Sequence, residues 1–323
     1  TAYEIYQCDW SSDVCSSDLT AMIVQMIFVS HGMWVGYMLC GFFVGASYGL
    51  SDVAINLDGT VIERELGRSL MPRMHAAYSL GALAGSGIGT LATYMQSSIL
   101  WQVVILGLLQ AGLLLWSMKH LPSGTGKSAH HESMRIERHH WLTRSVWFMG
   151  LARLTITLAE GSANDWLAIG VVDGYGASKT NAGIAYSVLM AAMTITRFWG
   201  GNLADRFGKT RTLQGLAVTG VAGILLVIVG APYVVMSWIG AALWGCGVAL
   251  GFPLLLSAAG EAEHAANTVA FVAFWGYGAV IVGPPLLGFL GQAWGMLNMF
   301  YVIAAFLASA VLFTRASQHR DQV

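Results

Sequence analysis

The sequence predicts an all-α membrane protein, and three observations lead to that fold class. Of its 323 residues, 56% are hydrophobic and only 10% are charged, whereas an average soluble domain has about 25% charged residues. The apolar residues form long runs, such as 99–118, 213–229 and 300–313, which approach the ~20 residues needed to cross the hydrocarbon core of a bilayer. The 39 glycines are compatible with helices that approach one another closely in lipid.

Apolar runs separated by turn signals divide the chain into ten predicted membrane spans. These spans cover residues 20–30, 33–57, 74–95, 98–118, 145–172, 181–203, 213–230, 233–257, 267–291 and 294–314. The only long polar insert, 119–144, is rich in Ser, Gly, His and charged residues, a composition typical of a linker. The sequence therefore predicts one helical group at 20–118, a second at 145–315 and a tail at 316–323.

Residues 1–19 differ from the rest of the chain. The polar near-repeat from Cys8 to Leu19 stops abruptly at an apolar run and resembles a translated sequencing adapter. We interpret 1–19 as a non-native segment and exclude it from the fold prediction; an ordinary polar tail is the alternative. On the first interpretation, the native part is expected to start near Thr20, inside a helix.

The positions of the positive charges predict the orientation of the chain, because short cytoplasmic loops carry an excess of Lys and Arg. Most of the 16 lysines and arginines lie in the loop 64–73, the linker, the loop 206–211 and the tail. The opposite loops hold only Lys179. We therefore expect the linker and the C-terminus to be cytoplasmic and the protein to lie in a plasma membrane, the inner membrane of a bacterium.

The composition also argues against several classes of function. The net charge of −1 gives no reason to expect nucleic-acid binding, which requires a concentrated basic patch. The four cysteines and the histidines of the linker show neither a disulfide framework nor metal-ligand spacing. The stretch 123–128 resembles a phosphate-binding loop only superficially, because Leu121 stands where its first glycine is required. We expect no metal, no cofactor and no enzymatic activity.

The most specific motif is the stretch from Gly200 to Arg211, which joins two predicted spans. Its sequence, Gly-Gly-Asn-Leu-Ala-Asp-Arg-Phe-Gly-Lys-Thr-Arg, resembles the loop motif G-x-L-A-D-R-x-G-[RK]-[RK] of the major facilitator superfamily. The matching residues are Gly201, Leu203, Ala204, Asp205, Arg206, Gly208 and Lys209. The resemblance implies two six-helix bundles that move a small solute by alternating access, with this motif as part of a cytoplasmic gate.

The charges of the motif suggest how such a gate would be held. Asp205 is expected to interact with a helix N-terminus, which carries a partial positive charge. Arg206, Lys209 and Arg211 are expected to remain in water. The alternative is a basic turn that is merely solvated.

In that family the motif follows the second and the eighth helix, so the copy at 200–211 implies that the first span here is helix three. About ten of twelve helices would then be present, with helices three to six at 20–118 and seven to twelve at 145–315. A weak internal repeat, Gly45 to Gly49 and Gly247 to Gly251, is consistent with two related halves.

A narrower resemblance concerns the fourth and fifth helices of the implied fold. The stretches Gly49 to Asn56 and His75 to Gly81 resemble the fucose-permease-like branch of sugar–proton symporters, whose fourth helix carries acid-x-A-x-N. Asp52 and Asn56 match that pattern, whereas His75 replaces a Gln. The resemblance implies a sugar or sugar-like solute, with Asp52 as the protonatable carboxylate and Asn56 as a polar residue of the cavity. The replacement at position 75 leaves the sugar itself open.

Physical arguments on the same residues point in the same direction. An acid inside a span costs about 2.5–3.5 kcal/mol, so Asp52 is a candidate functional group. Asp52 and Asn56 are four residues apart and share one helix face, and His75 is a second group that titrates near neutral pH. The alternative for Asp52 is a structural hydrogen bond near the membrane interface, and the alternative for His75 is likewise structural.

The predicted span 145–172 contains a second polar cluster, with Arg153, Glu160, Asn164 and Asp165. The spacings place the first three on one face of a continuous helix, and Gly161 is expected to be a break point of the kind that transporters use at binding sites. Arg153 is expected to balance Asp52 or an acid of the first helix rather than Glu160. An external gate with interfacial anchors is the alternative.

Together these patterns predict a secondary active transporter of a small solute, coupled to protons and embedded in lipid as a monomer. Two alternatives stay open. One is a proton-driven exporter of drugs or hydrophobic compounds. The other is a membrane-embedded enzyme or assembly subunit, for which the loops supply no catalytic cluster.

Overall fold

The computed structural model describes residues 24–25, 27–28, 31–45, 71–118, 143–262 and 264–317. Several predicted features lie outside these ranges, namely the segment 1–19, Asp52, Asn56, the linker up to residue 142 and residues 318–323. The side chain of His75 is also outside them, although its backbone belongs to a helix.

Each regular element of the described ranges is an α-helix. Residues 24–25 and 27–28 are helical, and the longer helices that follow are, in chain order, α1 (Trp34–Gly45), α2 (Met71–Tyr94), α3 (Ile99–Met118), α4 (Arg144–Tyr175), α5 (Lys179–Phe207), α6 (Lys209–Val229), α7 (Val234–Val248), α8 (Gly251–Gly260), α9 (Ala265–Trp294) and α10 (Met296–Ser317). Each of them lies at a predicted span, with α7 and α8 sharing one.

Four segments of the described chain are long and apolar enough to cross a membrane: Lys209–Val229, Val234–Gly260, Asn267–Trp294 and Met296–Arg315. The helices α2, α4 and α5 carry more polar side chains, but at 1.5 Å per residue their lengths are about 36–48 Å. Those lengths exceed the ~30 Å hydrocarbon core of a bilayer. The protein is thus an all-α membrane protein, as its composition predicts.

Contacts between Cα atoms divide the chain into two units. The first comprises Thr1–His75 and Met95–Met134, and the second comprises Ala76–Tyr94 and Arg135–Val323. Among the described helices, α1 and α3 fall in the first unit, whereas most of α2 and all of α4 to α10 fall in the second. The division at the linker stays a prediction, and all contacts discussed below lie within the second unit.

Helix α4 is the central helix of the second unit and contacts α5, α9 and α10. One of its faces is fully buried and consists largely of small residues, including Ala152, Ala159 and Ala163. Small residues let helix backbones approach closely in lipid, where dispersion rather than the hydrophobic effect holds helices together. The remaining face carries Glu160 and Asn164, which are not buried.

Helices α6 and α7 touch backbone to backbone through glycines. A methyl group added at Gly247 would stand 2.2 Å from Cα of Gly220, and one added at Gly223 would stand 2.6 Å from the carbonyl oxygen of Gly240. No side chain fits at such distances, so this contact depends on glycine at each position. The contact fixes α7 against α6, directly before the point where α7 ends and the helix is interrupted.

The helix break lies elsewhere than predicted. Helix α4 is continuous from Arg144 to Tyr175, so the predicted break at Gly161 is wrong. A glycine alone does not interrupt a helix in lipid, because every backbone group there still requires its hydrogen bond. The break occurs instead at Ala249 and Leu250, between α7 and α8. Pro253 explains it: it lacks the N–H that would reach the Ala249 carbonyl.

Candidate functional site

Arg197 of α5 is the centre of a polar network on the face of α4 that is not buried. Its Nη2 donates to Oε1 of Glu160 at 2.7 Å, and the two side chains are 19% and 20% exposed. Hydrogen bonds between two charged groups are short and about twice as strong as neutral ones. An ion pair this far inside two long membrane helices is a candidate functional site by default.

The same guanidinium group reaches the broken helix. Nε of Arg197 donates to the carbonyl oxygen of Ala249 at 3.0 Å. This is the carbonyl whose helical partner Pro253 cannot supply. A side chain therefore satisfies the backbone group that the break sets free, which is how irregular backbone is tolerated at membrane depth.

The third bond of Arg197 extends to α2. Its Nη1 donates to Oγ of Ser79 at 3.0 Å, and Oγ1 of Thr194 donates to the carbonyl oxygen of Ser79 at 3.2 Å. Oγ of Ser187 and Oγ1 of Thr90 form a further polar contact, at 3.1 Å, between the same two helices. Arg197 thus joins α2, α4 and the α7–α8 break to its own helix.

The other polar residues of α4 lie beside this network. The hydroxyl of Tyr186, on α5, donates to Oδ1 of Asn164 at 3.3 Å, and both Asn164 and Asp165 are exposed. Glu160 and Asn164, one turn apart, each contact a different residue of α5. The surface formed by Glu160, Asn164, Tyr186 and Arg197 is called the α4–α5 polar face below.

Arg153 does not join that face. It is 7% exposed, its guanidinium carbon lies 4.5 Å from the centroid of the Phe252 ring, and its Nε and Nη1 have no hydrogen-bond partner among the described residues. Glu160, one of the acids considered in the sequence, is paired with Arg197 instead. The expectation that Arg153 balances Asp52 concerns a residue outside the described ranges.

The motif at 200–211 spans the end of α5 and the start of α6. Asp205 and Arg206 are exposed in the last turn of α5, Gly201 and Arg211 are also exposed, and Gly208 has a positive φ of 81° between the two helices. Helix α6 is preceded by Gly208, which has no side chain to cap it. The interaction expected between Asp205 and a helix N-terminus stays a prediction.

Lys209 departs from expectation. Its Nζ donates to Oε1 of Glu261 at 2.5 Å and to Oγ of Ser257 at 2.8 Å, both near the end of α8. The lysine therefore joins the motif to α8 rather than remaining free in water. With Glu261 70% exposed, the pair lies at the surface, where such ion pairs contribute at most about 1 kcal/mol.

Sequence reasoning did not identify Arg197, Ser79 and Tyr186 as site residues. Arg197 had an available signal, because an ionisable residue inside a predicted span is rare and costly. Ser79 and Tyr186 had none, since a hydroxyl in a membrane helix is common and its partner lies on another helix. Within the described ranges, no group of three or more His, Cys, Asp or Glu could hold a metal ion.

Comparisons with known proteins agree with this architecture. The model of the family described as the Major Facilitator Superfamily matches residues 15–280. An uncharacterized MFS-type transporter of Yersinia pestis is 30% identical over 217 residues, which are 67% of this chain and 55% of that protein. An uncharacterized transporter of Sinorhizobium fredii is 32% identical over 277 residues, 83% of this chain and 70% of that protein. The chain thus spans about half the length of the first relative.

Solved structures show the same fold at low identity. The transporter FucP in the outward conformation has a TM-score of 0.59 and 15% identity, covering 96% of this chain and 83% of that one. The E. coli fucose:proton symporter FucP gives 0.59 and 16%, with 98% and 86% covered. A bacterial homologue of the iron transporter ferroportin, inward-facing, gives 0.63 and 12%, with 97% and 83% covered. The family match, the two relatives and this shared fold lead to one conclusion: the chain belongs to the major facilitator superfamily.

Proposed function

We propose that the protein is a secondary active transporter that carries a small polar solute, a sugar or sugar-like molecule, together with protons by alternating access. The observation that carries the proposal is the Glu160–Arg197 pair, 2.7 Å apart and hydrogen-bonded through Arg197 to the broken helix at Ala249. A polar site on discontinuous helix backbone is how many secondary transporters bind solutes and coupling ions.

The network links helix movement to the ion pair. Arg197 donates to groups on α2, on α4 and at the α7–α8 break, so a shift of α2 or of the break would remove a hydrogen bond from the guanidinium group. A carboxylate inside a membrane protein is costly unless it is paired. Opening of the Glu160–Arg197 pair is therefore costly, which couples the pair to the positions of these helices.

The solute would contact the α4–α5 polar face. Asn164 and Tyr186 offer an amide and a hydroxyl, which match the donors and acceptors of a polyhydroxylated solute, and Asp165 is exposed on the same helix. The roles suggested by resemblance complete the proposal: Asp52 carries the proton, Asn56 lines the cavity and His75 is a second titrating group.

The remaining features of the proposal concern topology. We place the linker and the C-terminal tail on the cytoplasmic side of a plasma membrane, because the positive charges concentrate there. The segment from Gly201 to Arg211, including Asp205, Arg206, Gly208 and Lys209, would act as part of the cytoplasmic gate. The protein would act as a monomer, with residues 20–118 and 145–315 in its two helical bundles and 119–144 as the linker. Residues 1–19 would be non-native.

The proposal is tested by solute uptake into proteoliposomes. An inward proton gradient should drive accumulation of a labelled hexose or hexuronate above its external concentration, and a protonophore should abolish that accumulation. Export of hydrophobic dyes, with no accumulation of any hydrophilic solute, would instead favour a drug exporter.

Asp52→Asn is expected to abolish gradient-driven accumulation, because the amide cannot take up and release a proton. Solute exchange at equal concentrations on the two sides should persist, since exchange needs no net proton movement. Asp173→Asn, the same change at an exposed position near the end of α4, is the matched control and should accumulate solute normally. Normal accumulation by Asp52→Asn, with the gradient still required, would exclude Asp52 as the proton carrier.

A further inference from the structure

Four side chains of α4 and α9 hold buried hydrogen-bond donors without a partner among the described residues. They are Arg153 (Nε and Nη1), Thr157, Trp166 and Trp275. A buried donor without a partner costs about 1–3 kcal/mol, and more if it is charged. Three of them, Arg153, Thr157 and Trp275, belong to one stretch of the two helices and are expensive there unless something binds them.

Helix geometry places Arg153 between the other two groups, which lie about one turn to either side of it along α4. Arg153 and Thr157 are four residues apart on the continuous α4, so they share a face. Gly276 of α9 lies against the guanidinium group, because a methyl group there would stand 2.8 Å from Nε of Arg153. The neighbouring Trp275 lies against Gly150, about one turn before Arg153; a methyl group at Gly150 would stand 2.9 Å from the indole nitrogen.

The surroundings favour a bound anion over a neutral group. The ring of Phe252, just after the helix break, lies over the guanidinium group at 4.5 Å and orients it as a cation–π partner. Arg153 is 93% buried, since only 7% of its surface is exposed, and no salt bridge to a described residue neutralises it. The guanidinium charge favours an anionic group such as a carboxylate, to which Nη1 can donate, and Thr157 and Trp275 add neutral donors.

We propose that Arg153, Thr157 and Trp275 form a carboxylate subsite, and that the solute is a polyhydroxylated acid such as a hexuronate rather than a neutral sugar. This inference rests on the proposed function, because it specifies the solute class of the same transporter. The polyol part of the solute would contact the α4–α5 polar face, and its carboxylate would be bound at Arg153.

Direct binding tests the subsite without requiring transport. D-Glucuronate and D-gluconate should raise the melting temperature of the purified protein in detergent, whereas D-glucose at the same concentration should not. Arg153→Gln should weaken glucuronate binding about 10- to 100-fold, the range expected for one or two hydrogen bonds to a charged group. Arg144→Gln, the same change at an exposed position of the same helix, should bind as the unmodified protein does.

Thr157→Val separates a binding role from a structural one. The variant removes a buried hydroxyl that has no partner in the described structure, so the melting temperature without ligand should stay the same or rise. Glucuronate binding should nevertheless weaken about fivefold, the effect of losing one neutral hydrogen bond of about 1 kcal/mol. A variant that binds glucuronate normally would exclude Thr157 from the subsite.

Two glycine variants on α9 test the position of the guanidinium group. Gly276→Ala places a methyl group against Nε of Arg153 and should weaken glucuronate binding, whereas Gly278→Ala meets nothing within 4 Å and should not. Size-exclusion profiles show whether each variant is folded. The two glycine variants therefore test the subsite by glucuronate binding even if Arg153→Gln does not fold.

Four outcomes would overturn the subsite. The first is glucose binding as tightly as glucuronate. The second is glucuronate binding that Arg153→Gln leaves unchanged. The third is no binding of either acid. The fourth is proton-driven uptake of a neutral sugar, which would leave the proposed function intact. Tight glucuronate binding without gradient-driven uptake would support the subsite and overturn the proposed function.

Discussion

Arg197→Gln is expected to reduce proton-driven accumulation at least about 100-fold. The variant leaves Glu160 as an isolated charge and withdraws the donor from the Ala249 carbonyl. Breaking a buried pair by removing one partner costs about 3–5 kcal/mol. Because these side chains are about one fifth exposed, we expect about 2–3 kcal/mol, measured as a loss of thermal stability in detergent.

The double variant Glu160→Gln/Arg197→Gln distinguishes folding from mechanism. It removes both charges together, so part of the stability should return, as expected for groups that interact directly. Accumulation should not return, because the ion pair that responds to helix movement is gone. Arg315→Gln, at an exposed position near the end of α10, is the matched control. Accumulation by Arg197→Gln at the unmodified rate would exclude the pair from the mechanism.

Gly247→Ala is expected to destabilise the second unit by about 3 kcal/mol, the upper end of the usual range for overpacking. The added methyl group would stand 2.2 Å from Cα and 2.5 Å from the backbone nitrogen of Gly220. Backbone atoms cannot rotate away as a flexible side chain can, so α6 and α7 must separate. The measurement is the melting temperature of the purified protein.

Gly215→Ala on α6 is the matched control, because a methyl group there meets nothing within 4 Å. Alanine also favours the helix more than glycine does, so this variant should be as stable as the unmodified protein or slightly more stable. Equal melting temperatures for Gly247→Ala and Gly215→Ala would contradict the backbone contact between α6 and α7.

The positions of the helices could be predicted from the sequence because apolar runs of spanning length and the turn residues between them are local signals. The ends of the predicted spans 213–230 and 267–291 lie within four residues of the ends of the apolar segments Lys209–Val229 and Asn267–Trp294. The family could be predicted as well, because the match at 200–211 is a local string of specific residues.

The site was harder to predict because its contacts join different helices. Glu160 was identified from its charge, but its partner Arg197 lies 37 residues further along the chain, and no periodicity links the two. The helix break had a local signal in Gly251 and Pro253, which was overlooked in favour of Gly161. A proline removes a hydrogen bond, whereas a glycine merely permits bending.

The central claim is that the protein couples solute movement to proton movement through the α4–α5 polar face. The most direct measurement is proton entry caused by the solute alone, recorded with a pH-sensitive dye inside proteoliposomes and with no imposed gradient. We predict that external hexuronate or hexose acidifies the interior for the unmodified protein and for Arg315→Gln, but not for Arg197→Gln. Solute entry without acidification, or acidification that Arg197→Gln leaves unchanged, would contradict the claim.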